Sequence, residues 1–209
     1  MIQLFILLFA FSLIFLSVTE RFRTYAMLIR IQGILLFGIS FFLLEDMNSL
    51  NLAFIVVETL VFKAIIVPAL LYHIIRKTGI ARVHKNSVPI FYSAILSIVA
   101  LLISVATAYA MADPKIDMSF LTISIFTMLV GLLLIITHKR IFSHMVGFLV
   151  IENAVFLFSV AAGTEMPVLI NTGILLDIFI SVLILSFFIT KANINFHLSE
   201  NEDLASLKD

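Results

Sequence analysis

The chain is built of long apolar runs separated by short polar breaks. The runs predict helices at roughly Ile2–Val18, Tyr25–Leu44, Leu52–Ile75, Pro89–Met111, Met118–Thr137, Ile141–Ala162 and Pro167–Thr190. An α-helix needs roughly 20 apolar residues to cross a hydrocarbon core about 30 Å thick. None of the runs alternates apolar with polar residues as a barrel strand would. Inside lipid an unbroken apolar segment must satisfy its own backbone hydrogen bonds, which means helix. The breaks carry clear punctuation: Glu45-Asp46-Met47-Asn48-Ser49, Arg76-Lys77-Thr78-Gly79 and Asp113-Pro114. Pro167 opens the last run, where a missing N–H costs nothing. The pattern predicts an all-α polytopic membrane bundle of about seven transmembrane helices.

Composition sharpens this picture. Of 209 residues, 62% are hydrophobic and 12% charged, and the mean hydropathy is +1.20. A soluble domain needs more polar surface than that. The spans leave only short loops and no room for a separate soluble domain. There is no cysteine, which excludes disulfides, cysteine-held iron–sulfur clusters and a thiol nucleophile within this sequence. Net charge is zero, with no basic face for nucleic acid. The first run lacks a basic segment before Ile2 and a small-residue cleavage site near Glu20-Arg21, so it is expected to be a retained helix.

Charge also orients the chain. Arg21, Arg23, Arg76, Lys77, Arg82, Lys85, Lys139, Arg140, Lys191 and Lys208 fall on one side, and Lys115 alone on the other. By the positive-inside rule the rich side is cytoplasmic. This puts the N-terminus outside and the C-terminal tail inside.

The layout repeats. A basic turn (Arg21 and Arg23; Lys139 and Arg140) precedes the second helix of each of two triplets. A polar residue sits within that helix, Gln32 in one and Glu152 in the other, and a carboxylate within the third, Glu58 in one and Asp177 in the other. The expected organisation is a first three-helix repeat over residues 1–78, a linker with one extra helix over 79–117, a second repeat over 118–191 and a cytoplasmic tail over 192–209. The extra helix returns the chain across the membrane, so the two repeats are parallel rather than inverted.

Five charged residues fall within spans: Arg30, Glu58, Lys63, Glu152 and Asp177. Such residues usually face the bundle interior and mark a pathway; the plainer reading is that they only pair helices. Glu152 and Asp177, each about midway along its helix, form the leading pair. Two carboxylates close together in low dielectric do not both ionise easily, which suits them to hold a proton near neutral pH. Glu58 and Lys63 are five residues apart, about 140° around an α-helix, so an intrahelical pair is not expected and Lys63 should face another helix or subunit. Pro68 predicts a local break after Lys63. Arg30 lies near the cytoplasmic boundary and can snorkel as an anchor. Gln32 faces about 200° away from it. His73, His84, His138, His144 and His197 fall near the cytoplasmic boundary or outside the spans and show no metal-ligand spacing, so they are expected to be interfacial. Ser93, Ser97, Ala100, Ser104 and Thr107 predict a small-residue packing seam. Nothing in the sequence points to a catalytic nucleophile, a metal site or a cofactor-binding motif.

The stretch Lys139-Arg140-Ile141-Phe142-Ser143-His144-Met145-Val146-Gly147-Phe148-Leu149-Val150-Ile151-Glu152-Asn153 resembles the second helix of the small K-type subunit of bacterial respiratory complex I. Asp177, in Leu175-Leu176-Asp177-Ile178-Phe179, resembles the buried glutamate of that subunit's third helix. The doubled layout resembles more closely the component E subunit of hydrogenase-4 and formate hydrogenlyase-type complexes. Two departures stand out. Glu152 comes about a turn later after Gly147 than the family glutamate does after its glycine, and Gln32 stands where a glutamate would be expected. The resemblance implies a non-catalytic subunit of a bacterial inner-membrane redox complex, without cofactors of its own. Its partners would be antiporter-like membrane subunits and the membrane anchor of a cytoplasmic hydrogenase-like arm. Glu152, Asp177, Glu58 and Lys63 would line a proton path, with Gln32 and Arg30 as auxiliary polar groups. The rival expectations are a stand-alone ion-coupled transporter and a purely structural assembly subunit.

Overall fold

Hydrocarbon-rich segments fold into helices here with few interruptions. The computed structural model describes residues 1–43, 56–78, 89–111, 114, 116–138 and 141–163, and all regular structure among them is helical. The elements are α1 (Ile2–Val18), α2 (Phe22–Leu43), a π-helical segment (Val56–Ile66) that continues into α3 (Val67–Thr78), α4 (Ile90–Ala110), α5 (Met118–Thr137) and α6 (Ile141–Ala161). The predicted seventh span, Pro167–Thr190, lies outside the described residues.

Five of these stretches are long and apolar enough to cross a membrane: Phe22–Leu43, Val56–Arg76, Ile90–Ala110, Met118–Thr137 and Phe142–Ala161. Large side chains such as Phe11, Phe15, Phe91, Leu102 and Ile136 stand exposed on the outside of the bundle. In water that surface would be a severe liability; in lipid it is a solvated one. The chain is a multi-pass integral membrane protein.

Local chemistry sets the helix ends. Asp117 caps α5, its carboxylate accepting from the backbone N–H groups of Ser119 (2.8 Å) and Phe120 (3.2 Å), which satisfies two of the donors a helix start leaves free. The Asp117 N–H in turn donates to the Ala161 carbonyl at the end of α6 (3.1 Å). Gly163, at φ 60°, takes the left-handed conformation that terminates α6 cheaply. Within the spans, serine and threonine hydroxyls bond back to their own helix: Ser97 to the Ala94 carbonyl, Ser104 to Leu101 and Thr127 to Ile123. Each of these three hydroxyls thereby satisfies its donor within its own helix.

Packing uses the small residues. Ser93, Ser97, Ala100 and Ser104 form the buried face of α4 as the seam predicted, with Ala108 rather than Thr107 as its last member. The tightest helix pair is α5 with α6. A Cβ on Gly131 would lie 2.8 Å from the Gly147 carbonyl oxygen, and one on Gly147 2.7 Å from that of Gly131. Two glycines facing each other let the backbones touch, as small residues do between membrane helices.

Among the described helices, the π winding is the one departure from α geometry. Pro68 has no N–H to donate, and in an uninterrupted α-helix its ring would press on the Ala64 carbonyl. Local π adjustment ahead of a proline is one way membrane helices accommodate it. The break expected near Pro68 takes this form: i→i+5 winding up to Ile66, then α-helix from Val67.

Candidate functional site

The buried charges meet where α2, the π segment and α6 pack together. Gly33 on α2 lets the π segment approach so closely that a Cβ there would lie 2.8 Å from the Lys63 carbonyl carbon and the Ala64 nitrogen. From the other side, Glu152 on α6 brings its Oε1 to 2.9 Å from Lys63 Nζ. Glu58, on the π segment itself, places its Oε1 3.7 Å from the same Nζ. Phe156, one turn beyond Glu152, presents its ring to the amine with the centroid 4.7 Å away, a cation–π contact. Glu58, Lys63 and Glu152 are 3%, 6% and 9% exposed.

One expectation is corrected here. Glu58 and Lys63 do pair within their own segment. The 140° separation holds for α winding, but in a π-helix the i→i+5 bond stacks residues five apart on one face. Lys63 does also face another helix, as expected, and its partner there is Glu152.

The contacts are ionic rather than aligned hydrogen bonds. Lys63 Nζ, Glu152 Oε1 and Glu58 Oε2 are all buried without a directional hydrogen-bond partner among the described residues. Two carboxylates share one ammonium, so the fully ionised set carries one uncompensated negative charge. Uncompensated charge in an apolar interior is strongly disfavoured. A proton on either carboxylate, or one monovalent cation, makes the set neutral.

Beside the charges runs a neutral chain of hydrogen bonds. Asn153 Nδ2 donates to Gln32 Oε1 (3.2 Å), Gln32 Nε2 donates to Ser12 Oγ (3.2 Å), and Ser12 Oγ donates to the Phe9 carbonyl (2.7 Å). Gln32 is fully buried and uses both ends of its amide to tie α2 to α1 and α6. Arg30, two residues earlier, is exposed on the opposite side. That agrees with an anchor and keeps it out of the site. Asp177 lies outside the described residues.

Sequence reading missed Ser12, Asn153 and Phe156. Asn153 had a signal, a second polar side chain directly after Glu152. Ser12 and Phe156 had none, because serine and phenylalanine are ordinary in membrane spans.

His138 stands at the end of α5, just outside the span as expected of it, and is only 4% exposed. It caps that helix, in contact with Tyr25 in the first turn of α2 (Oη to Nε2, 3.2 Å). Burial lowers its pKa below the usual histidine value, outweighing the opposite pull of the Leu134 carbonyl. Among the described residues no three acids or histidines gather as metal ligands.

The ends of α1 and α5 share a hydrogen-bond pattern with the helices that follow them. Tyr25 Oη donates to the Thr19 carbonyl (2.9 Å), and His144 Nε2 donates to the His138 carbonyl (2.6 Å). Thr19 and His138 are both extended residues that end a helix. The pairs Thr19 and His138, Phe22 and Ile141, and Tyr25 and His144 each stand 119 residues apart. In that register Gly33, not Gln32, is opposite Glu152, and both Gly33 and Glu152 bear on Lys63.

The fold and site define a polytopic membrane helix bundle with a buried carboxylate–lysine–carboxylate set between three of its helices. No protein-family model, curated protein or solved structure matches the chain.

Proposed function

We propose that this protein is an ion-path subunit of a membrane-bound, hydrogenase-like redox complex, and that Glu58, Lys63 and Glu152 hold the transferred proton. The observation that carries this reading is the shared ammonium: Lys63 Nζ lies within ion-pair distance of two carboxylates on two helices. A proton can be taken up on one carboxylate while the other keeps the lysine, so the set changes occupancy without stranding a bare charge. Asp177 would continue the row. Gln32, held by Ser12 and Asn153, braces the helices and does not carry the proton.

The resemblance of Lys139–Asn153 to the second helix of the small K-type subunit of complex I, and of the doubled layout to component E subunits, supports the placement in a redox complex. So does the absence of cysteine, which leaves redox metals to partner subunits. On this reading the basic turns face the cytoplasm of a bacterial inner membrane.

The test is extraction in mild detergent and identification of what copurifies in stoichiometric amounts. Antiporter-like subunits together with a nickel–iron or iron–sulfur arm are the expected result. A lone monomer or homodimer would overturn the complex and favour a stand-alone transporter. In the assembled complex, Glu152→Gln should abolish coupled proton movement while leaving the subunits together. Unchanged proton movement would reduce the charged set to a structural role.

A further inference from the structure

The junction of Tyr25 and His138 has more hydrogen-bond acceptors than hydrogens. Thr137 Oγ1 donates its only hydrogen to the Leu133 carbonyl (2.6 Å). His138 Nδ1 lies 2.9 Å from Thr137 Oγ1 and 3.1 Å from the Leu134 carbonyl. A carbonyl only accepts, and the threonine hydrogen is already used, so Nδ1 carries a hydrogen. In the neutral ring Nε2 is then a bare lone pair. It faces Tyr25 Oη at 3.2 Å, and that same hydroxyl lies 2.9 Å from the Thr19 carbonyl. Tyr25 has one hydrogen for two acceptors. With a proton on Nε2 the conflict disappears: Nε2–H donates to Tyr25 Oη, and Tyr25 donates to Thr19.

We propose that Tyr25 and His138 form a proton-operated hydrogen-bond switch where the first turn of α2 meets the end of α5. One proton arriving from the aqueous face binds His138 Nε2. The Tyr25–His138 bond reverses direction, and the Tyr25 hydroxyl turns wholly to the Thr19 carbonyl. No covalent bond other than the new N–H forms or breaks. Release of the proton leaves the one Tyr25 hydrogen to be contested again by the Thr19 carbonyl and Nε2.

The surroundings allow both states. Thr19 is half-buried and lines an open cavity of about 400 Å³ together with Phe15, Val18, Glu20, Arg21 and Ile90. Water there can serve its carbonyl when Tyr25 turns away. The charge of Glu20, in the α1–α2 turn, favours the charged ring, while His144 on α6 opposes it. From α2, Tyr25 meets the ring. Lys139 and Arg140, next in the chain, lie outside the described residues. Because Tyr25 lies in the first turn of α2 and His138 caps α5, a change in this one bond is felt at the ends of both helices.

The test is nitrogen-15 spectroscopy of histidine-labelled full-length protein in nanodiscs between pH 8 and pH 5, with His138 assigned by the signal lost in His138→Gln. At pH 8 His138 should be neutral with its hydrogen on Nδ1, and it should become imidazolium on acidification. Tyr25→Phe should weaken proton binding by about threefold or more, because the charged ring loses one of its two charge-assisted hydrogen bonds. A hydrogen on Nε2 at pH 8 would overturn the proposal, and this reading needs only the unaltered protein. In a folded Tyr25→Phe protein, an unmoved titration would overturn it as well.

Discussion

Glu58 and Lys63 lie on the same face of one segment, Oε1 to Nζ 3.7 Å, because the chain between them is wound as a π-helix. With α winding the same two side chains would diverge by about 140°, and Lys63 would have Glu152 alone. The winding therefore turns a simple ion pair into a shared one. π segments recur at functional sites in other helices, and here the segment brings both carboxylates to one amine.

Removing the amine should be the most damaging single change. Lys63→Met leaves Glu58 and Glu152 facing each other without a cation, and breaking a buried pair from one side costs about 3–5 kcal/mol. Adding Glu58→Gln and Glu152→Gln to Lys63→Met should recover most of that loss. Denaturant unfolding in mild detergent reads both. A single variant as stable as the parent would mean that the ammonium is not holding the carboxylates.

Gly33 and Gly38 should respond differently to alanine. At Gly33 the new Cβ meets backbone at 2.8 Å, whereas at Gly38 it meets the ring of Phe5 at 2.7 Å. Backbone cannot step aside, and an overpacked site of this kind costs about 1–3 kcal/mol. A side-chain ring can move. Gly33→Ala should thus lose clearly more stability than Gly38→Ala, and should also disturb the Lys63 site. Equal losses would argue against the close approach of α2 and the π segment.

Gln32 and Asn153 should be energetically coupled. Their hydrogen bond joins α2 to α6, and interhelical bonds of this type in membranes are worth about 0.6 kcal/mol on average, up to about 1.7. A double-mutant cycle with Gln32→Leu and Asn153→Leu should return a coupling in that range. Additive losses would show that the two amides stabilise separately.

Stability should fall as the medium is acidified. The His138 pKa is lowered in the folded protein by burial, so around the ordinary histidine value of about 6.5 the unfolded chain binds the proton more readily. The stabilisation is present above that value and is lost as pH drops through it toward the folded value. Unfolding midpoints between pH 8 and pH 5 should show this slope, and His138→Gln should flatten it. A slope unchanged in the variant would place the titrating group elsewhere.

Much of the fold was legible because hydropathy is a local property. The edges of α1 and α5 read from the sequence coincide with those in the structure. The buried face of α4 follows from its small residues. Gln32, Glu58, Lys63 and Glu152 were marked by the cost of a polar group in lipid, and all four are buried.

Partner choice was not legible. It depends on how far each helix is rotated and how close its neighbour comes, and a run of leucine, isoleucine and phenylalanine constrains neither strongly. Lys63 found Glu152 through the glycine approach at Gly33 and the packing of α6; it found Glu58 through π winding ahead of Pro68. The contact of Tyr25 with His138 spans 113 residues and arises only because the start of α2 and the end of α5 lie side by side. The sequence by itself determined that this chain lives in a membrane, where its helices run and which of its groups are costly to bury. Tertiary structure alone decided which of those groups come within ion-pair or hydrogen-bond distance of one another, because that is settled by distances of a few ångströms between helices that composition does not encode.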